Sequence, residues 1–246
     1  MDLLLNQEHR KAPTELYYYG PALHTEESRR KMQHLLRNAL PSNSPVYVEV
    51  HHDLLGAARA AWGKQTGIVG ILGTGSNCAK WSGSQITLQA GGHGYLLGDD
   101  GSGADLGRHF ISALLHDEVP SEITGAFWTW IRAQHYFSPP LKTALDIRRL
   151  VYTSPTPSKS LAAFAPFLST CISHEWIAGL VRQRLRSFVR RTWARWPSPR
   201  RIKYVGGIAQ AFTKLLREIT EEHEGEWHGV VENVAYNLLH YHVYGR

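Results

Sequence analysis

The stretch formed by residues 67–77 constrains this chain more than any other part of its sequence. It reads Gly-Ile-Val-Gly-Ile-Leu-Gly-Thr-Gly-Ser-Asn, so an apolar run stops at a turn and a second apolar run follows. This pattern is typical of two strands joined by a tight turn. Glycines let the backbone approach a ligand closely, and successive N–H groups beside short hydroxyl side chains suit an anion such as phosphate. A plain hairpin has the same pattern, so both interpretations stay open for this stretch alone.

The length and composition are those of an ordinary globular protein. The chain has 246 residues, enough for one large domain or two small ones, with 43% hydrophobic and 20% charged residues. No apolar run reaches about 18 residues and no signal peptide begins the chain, so we expect a cytoplasmic protein without a membrane span. Two cysteines, Cys78 and Cys171, are too few for a disulfide framework and are expected to be reduced.

Predicted strands and helices alternate along the sequence. Strands are predicted at 15–20, 46–50, 68–72, 78–81, 85–89, 201–205 and 227–232, and helices at 25–40, 53–63, 104–115, 175–193, 208–222 and 233–244. Thr25 and Asp53 are expected to cap the first two helices, and Leu35 is placed on the apolar face of the first. Prolines at 41 and 45 should end that helix, and residues 154–160 are predicted as a linker. This order is typical of an α/β fold.

Three glycine-rich turns follow predicted strands or precede predicted helices. They lie at 73–77, 91–103 and 206–207. Helix N-termini after such turns bind phosphate through free N–H groups. Asp53, Asp99 and Asp100 lie where strands pass into loops or helices, the usual position of ligand chemistry in α/β proteins. We therefore expect the three turns to converge on one cleft.

Four motifs occur in a fixed order along the chain. They are Asp53-Leu-Leu-Gly-Ala-Ala-Arg-Ala, Ile71-Leu-Gly-Thr-Gly-Ser-Asn77, Gly91-Gly-His-Gly-Tyr-Leu-Leu-Gly-Asp-Asp-Gly-Ser-Gly103 and Tyr204-Val-Gly-Gly-Ile-Ala. Together they resemble the BadF/BadG/BcrA/BcrD-type ATPases and N-acetylglucosamine kinases of the actin, hexokinase and chaperone superfamily. Residues 161–168 and the closing Tyr241-His242 also fit, so the resemblance covers nearly the whole chain.

The resemblance implies an α/β, ribonuclease-H-like (actin-like ATPase) fold with one complete lobe and the back half of a second. Residues 1–66 would be the remnant of the N-terminal lobe. Residues 67–246 would form the C-terminal lobe, with a helical insertion at about 117–200. Members of the family begin with an Asp-Gly-Gly-type first phosphate loop, and no such motif precedes Glu15.

The resemblance also implies a role for individual residues. Asp53 matches the carboxylate that takes the proton from the attacking sugar hydroxyl. The phosphate and ATP contacts would be Gly73, Thr74, Gly75, Ser76, Gly206 and Gly207. The substrate contacts would be Asn77, Gly92, His93 and Asp99, with His93 replacing a tryptophan. Asp100 stands where the family more often has glutamate, and no metal ligand is assigned.

A structural interpretation stays open for several of these residues. Asp53 could only cap its helix, and Asp99 and Asp100 could be loop acids that cap the following helix. His93 is as readily a loop histidine as a ligand contact. Cys78 is expected to be a buried strand residue rather than a nucleophile.

The implied activity is phosphorylation of an amino-sugar hydroxyl, that of N-acetylglucosamine at C6, with ATP and Mg²⁺. The expected partners are the sugar substrate and a second copy of the chain in a homodimer. The missing first phosphate loop supports an alternative, a non-catalytic remnant that binds nucleotide or sugar.

An arginine-rich segment at 182–203 contains no acidic residue. Its cations and tryptophans could follow a nucleic-acid backbone. Such a run is more often a solvated helix face, and an apolar stripe at 181, 185, 188 and 189 favours that interpretation. We therefore expect no nucleic-acid partner.

Overall fold

The computed structural model describes residues 15–40, 46–135, 137 and 139–245. The chain divides into two compact units, Met1–Gly56 and Ala57–Arg246. No helix in the described ranges is long and apolar enough to cross a membrane. The prolines predicted to end the first helix, at 41 and 45, lie outside the described residues.

The first unit contains two parallel strands and a helix. They are β1 (Glu15–Gly20), α1 (Glu26–Ala39) and β2 (Tyr47–His52), followed by the start of α2 (Asp53–Trp62). As predicted, Thr25 caps α1: its side chain accepts the N–H of Ser28 at 3.1 Å. Val48 and Val50 of β2 are buried beneath Met32 and Leu36 of α1.

The placement of Leu35 on the apolar face of α1 is wrong, because its side chain is 62% exposed. Consecutive helical residues are rotated by about 100°, and Leu36 already faces the strands. Leu35 is thereby turned toward the solvent.

The second unit is built on a five-stranded mixed sheet. Its strands are β3 (Gly67–Leu72), β4 (Ser76–Trp81), β5 (Ile86–Gly91), β6 (Arg201–Val205) and β7 (Glu226–Val231). They lie in the order β5-β4-β3-β6-β7. β4 is antiparallel to both β3 and β5, whereas β6 is parallel to β3 and β7 is parallel to β6. This mixed sheet is consistent with the predicted ribonuclease-H-like fold.

Helices surround this sheet. They are α3 (Gly94–Leu97), α4 (Gly103–Leu115), α5 (Ser121–Arg132), α6 (Ala144–Thr153), α7 (Pro157–Ala162), α8 (Ala165–Thr170), α9 (Glu175–Arg191), α10 (Gly207–Ala211), α11 (Thr213–Glu222) and α12 (Val234–Tyr244). A 3₁₀ turn, Trp193–Arg195, follows α9. Aromatic side chains of these helices pack in the same hydrophobic core as the sheet residues. The ring centroid of Phe127 lies 5.1 Å from that of Phe110 and 5.3 Å from that of Phe167.

Two predictions for this unit are wrong in detail. Residues 154–160 are not simply a linker, because α7 begins at Pro157. Proline favours the first position of a helix, where its missing N–H costs nothing. The single helix predicted at 208–222 is two helices, because Phe212 adopts φ −117° and ψ 30°, outside the helical region.

Candidate functional site

The glycine turn between β3 and β4 is held by the start of α4. Within the turn, Gly73 donates its N–H to the carbonyl of Gly75 at 3.0 Å. The Gly73 and Thr74 carbonyls accept the N–H groups of Gly103 and Ala104 at 2.7 and 3.1 Å. The N–H groups of Thr74 and Gly75 have no acceptor among the described residues. The turn therefore has a fixed backbone with two donors left open.

These contacts correct the expectation that the helix after the glycine-rich loop offers free N–H groups. The first N–H groups of α4 are used by the turn, and the Ser102 hydroxyl accepts that of Asp105 at 3.1 Å. The start of α4 satisfies its own donors within the protein. An anion would be bound by the turn itself.

The turn after β6 touches the turn after β3. Gly206 has φ +112°, and a Cβ atom placed on it would lie 2.4 Å from the Leu72 carbonyl oxygen. Neither Gly73 nor Gly207 has any atom within 4 Å of such a Cβ position. Each turn thus contributes one glycine that faces open space.

We expect Gly206→Ala to lower the free energy of unfolding by about 1–3 kcal/mol, because alanine rarely adopts this backbone conformation and its methyl group would meet Leu72. Gly207→Ala is the matched control, since its methyl group would enter open space. Urea unfolding followed by circular dichroism measures both. Equal stabilities of the two variants would contradict this close approach.

The glycine-rich loop packs against the first residues of β4. Gly92 has φ +71°, and a Cβ atom there would lie 2.7 Å from the Asn77 amide nitrogen. The Asn77 side chain is buried, and its oxygen accepts the Cys78 N–H at 2.9 Å. Cys78 itself is buried in β4, as expected, and burial raises the pKa of its thiol.

Asp99 connects this loop to the glycine turn. It has φ +57°, and its carboxylate accepts the N–H groups of Ser76 and Gly94. Burial raises the pKa of Asp99 above its ordinary value, and these two hydrogen bonds offset part of that rise. A Cβ atom on Gly75 would lie 2.8 Å from an Asp99 carboxylate oxygen, so a side chain at 75 would displace Asp99.

A cavity of about 290 Å³ opens beside Asp99. Ser76 and the exposed His93 line it from the sheet side. Arg191 and Arg195, at the end of α9 and in the following 3₁₀ turn, line it from the other side. The cavity thus brings three residues of the predicted site together with two arginines that the sequence interpretation did not assign to it.

Two buried aspartates and two arginines of α9 join the loop to that helix. Arg184 donates to Asp100 at 2.6 Å and to Asp105 at 2.8 Å, and Arg191 donates to Asp100 at 2.8 Å. Asp105 also accepts the Gly101 N–H at 2.9 Å. Asp100 is therefore engaged in ion pairs. Sequence analysis missed Asp105 and Arg184; the available signal was the two arginines, 184 and 191, spaced two turns apart on one helix.

Burial opposes the ionisation of Asp105, but hydrogen bonds from His109 and Arg184 outweigh it and hold the Asp105 pKa well below its ordinary value. The stability that this carboxylate contributes is therefore complete above the unfolded-state pKa of about 4 and is lost as the pH falls toward the folded-state value.

We expect the stability difference between the wild type and Asp105→Asn to be constant from pH 7 to about pH 5 and to shrink toward pH 3. Urea unfolding at these three pH values measures it. Asp117→Asn, at an exposed position, is the control. A difference that stays the same at pH 3 would exclude a depressed pKa at Asp105.

The opposite side of α9 pairs with α11. Arg182 contacts Glu218 at 2.6 Å, and Arg186 contacts Glu222 at 2.8 Å. The predicted apolar stripe of the helix is buried, at Val181, Leu185, Phe188 and Val189. Four arginines of the run therefore have carboxylate partners within the protein.

Asp53 belongs to the first unit and is the first residue of α2, not the residue before it. The prediction that Asp53 caps this helix is therefore wrong. His52 caps it instead, because its Nδ1 accepts the N–H of Leu54 at 3.2 Å. The Asp53 Oδ1 atom is buried, lies 3.0 Å from that Nδ1 and accepts no hydrogen bond from the described residues. Burial lowers the pKa of His52, against the opposing effect of the Asp53 charge. The Asp53 side chain as a whole is 40% exposed.

No protein-family model matches this chain, and no curated protein is significantly similar to it. Among solved structures, it is similar to a "Putative N-acetylglucosamine Kinase" from Porphyromonas gingivalis, with 32% identity and a TM-score of 0.83 over 93% of this chain and 77% of that one. A protein of the same description from Chromobacterium violaceum shares the fold, with 21% identity and a TM-score of 0.67 over 93% and 76% of the two chains. The chain belongs to the BadF/BcrA-type N-acetylglucosamine kinase family and has its ribonuclease-H-like, actin-like ATPase fold.

Proposed function

We propose that this protein is an ATP-dependent kinase that phosphorylates the C6 hydroxyl of N-acetylglucosamine. The observation that carries the proposal is the contact between the two glycine turns at the carboxyl ends of β3 and β6, each with one open glycine, Gly73 and Gly207. Open α/β sheets bind ligands at the carboxyl ends of their strands. The description of the Porphyromonas gingivalis relative supports an amino sugar as the acceptor.

The nucleotide would lie along the two turns. The open N–H groups of Thr74 and Gly75, with the Thr74 and Ser76 hydroxyls, would donate to the β- and γ-phosphates. Gly207 would leave room for the adenosine, because nothing fills the space beside it.

The sugar would occupy the cavity beside Asp99. The carboxylate of Asp99 would accept hydrogen bonds from sugar hydroxyls, with Gly92 and His93 alongside. Asn77, whose side chain is buried next to Gly92, would shape the edge of this site. At about 290 Å³, the cavity is close to the lower end of small-molecule sites.

Phosphoryl transfer would use Asp53 as the base. The oxygen of the sugar hydroxyl forms a bond to the γ-phosphorus, while the bond from that phosphorus to the oxygen bridging the β- and γ-phosphates breaks. The hydroxyl proton passes to Asp53, and the products are ADP and the sugar 6-phosphate. The Asp53 side chain is 40% exposed, which supports this role because a base must be accessible to the substrate hydroxyl.

Magnesium is expected to enter bound to ATP. The described residues contain no group of three or more His, Cys, Asp or Glu side chains able to hold a metal ion, and Asp100 is already paired with arginines. Mg²⁺ usually keeps water and phosphate oxygens as most of its ligands, and it would neutralise phosphate charge. We assign no residue of this chain to it. The cytoplasmic location, the homodimer and the lobe boundary at residue 66 stay predictions.

The test is ATP-dependent phosphorylation of N-acetylglucosamine, N-acetylmannosamine and glucose by the 246-residue chain. We expect equimolar ADP and N-acetylglucosamine 6-phosphate, identified by mass spectrometry. Folded protein that binds ATP or sugar without turning over would overturn the kinase proposal in favour of a non-catalytic binding protein.

A further inference from the structure

A second cavity, of about 500 Å³, lies among α3, α4, α6 and α7. We call it the α4 groove. Its lining shares no residue with the cavity beside Asp99, and it includes none of the glycine turns assigned to the nucleotide. Its volume is within the range of small-molecule sites. The proposed kinase reaction therefore leaves this groove without a ligand.

The groove is long and mostly apolar. Four residues of α4 and the following histidine line it at helical spacing: Arg108, Ile111, Ser112, Leu115 and His116. Positions 108 to 116 span about 12 Å of an α-helix. Ile147, Val151 and Leu161 of α6 and α7 complete the apolar lining. A ligand that fills the groove would therefore be elongated and apolar along most of its length.

Apolar side chains at the edge of the groove are left in solvent. Leu96 of α3 is 70% exposed and Tyr152 of α6 is 85% exposed. Exposed apolar surface around a concave site is typical of a binding site, because a ligand removes that surface from water.

The charged side chains of the groove are cationic. Among the described residues, no aspartate or glutamate lines it. Arg108 donates to Asp105 at 2.9 Å, so its charge is partly compensated. Arg148 is exposed and has no hydrogen bond or ion pair with the described residues. The guanidinium group of Arg148 is thus open to an anion, which it can bind through two parallel N–H···O bonds.

We propose that the α4 groove binds an amphipathic organic anion, a carboxylate on an unbranched alkyl chain. Arg148 binds the carboxylate, and the chain lies along the apolar face formed by Ile111, Leu115 and Val151. This site goes beyond the proposed kinase function and does not depend on it.

The test is calorimetric titration of the 246-residue chain with hexanoate, octanoate and decanoate. A buried CH₂ group is worth about 0.8 kcal/mol, so we expect the Kd to fall about fourfold for each methylene added. Octanol, which has the same number of carbons as octanoate but no charge, should bind about ten- to a hundredfold more weakly. A Kd that does not change with chain length would overturn the proposal.

Arg148→Gln should raise the Kd for octanoate by about tenfold or more and remove the preference over octanol. The variant is expected to fold, because Arg148 is exposed and makes no contact that the substitution would break. Arg149→Gln is the matched control, since Arg149 is the next residue of α6, is exposed and does not line the groove. Equal octanoate affinities of the two variants would overturn the assignment of Arg148.

A second copy of the chain is the alternative occupant of this groove. Sedimentation velocity of the wild type and Leu96→Asp tests it. A dimer that Leu96→Asp dissociates, together with no binding of octanoate, would assign the groove to the second copy and overturn the proposal.

This proposal and the kinase proposal can fail separately. Calorimetry requires no turnover, so octanoate binding by a chain that phosphorylates no sugar would support this site and overturn only the kinase. Sugar phosphorylation without octanoate binding would overturn only this site.

Discussion

Replacing Asp53 by asparagine is expected to lower kcat for sugar phosphorylation by about 10²–10⁴-fold. The amide keeps the size of the side chain but cannot take the proton from the sugar hydroxyl. The Asp53 Oδ1 atom accepts no hydrogen bond from the described residues, so the substitution breaks none there. Steady-state phosphorylation assays of the wild type and the variant measure the change.

The control for this experiment is Glu27→Gln, an exposed acid of α1 in the same unit, which should retain wild-type kcat. Circular dichroism of both variants shows whether they fold. A kcat of Asp53→Asn close to that of the wild type would exclude Asp53 as the base and leave it a structural residue of α2.

Replacing Arg184 by methionine is expected to destabilise the protein by about 3–5 kcal/mol. The side chain of Arg184 is 13% exposed, and it pairs with carboxylates of Asp100 and Asp105 that are 10% and 1% exposed. Removing the arginine leaves Asp105 charged and buried with only Arg108 and His109 as side-chain partners, and it leaves Asp100 without one of its two arginines. For a chain of this size, the loss corresponds to a fall in Tm of about 6–20 °C, measured by thermal unfolding.

Arg186→Met is the matched control, on the same helix. Its partner is Glu222, and the two side chains are 45% and 37% exposed, so we expect a loss below about 1 kcal/mol. The double variant Arg184→Met/Asp105→Asn should recover part of the stability, because the buried charge is then removed. Equal losses of Tm at 184 and 186 would show that burial does not distinguish the two ion pairs.

The Arg184 variant should also lower activity. Asp105 lies in the first turn of α4, and the first N–H groups of that helix, those of Gly103 and Ala104, hold the carbonyls of the glycine turn between β3 and β4. Asp99 precedes the same segment and contacts Gly94 and Ser76. The ion pair of Arg184 with Asp105 thus anchors the first turn of α4, whose backbone N–H groups hold the glycine turn.

Local backbone structure could be predicted from the sequence to within one or two residues at most boundaries. The run of apolar residues before Gly73 predicts β3, and the order Thr25, Glu26, Glu27, Ser28 predicts the start of α1. These signals depend on residues close together in the chain, such as a side chain that bonds to an N–H three positions away. The family could likewise be identified from the four motifs, because their order is read from the sequence without knowledge of any tertiary contact.

The contacts that build the site could not be predicted in this way. Arg184 reaches Asp105 and Asp100 across 79 and 84 positions of sequence, and the cavity joins Arg195 to His93. From the sequence alone the arginine run was only a basic helix, because the partner of a charge depends on which elements the fold brings together. By itself, therefore, the sequence determined the strands, the glycine turns and the family. Only the tertiary structure decided which carboxylates are neutralised and which cations stay open to a ligand, since burial and pairing arise from contacts between distant segments.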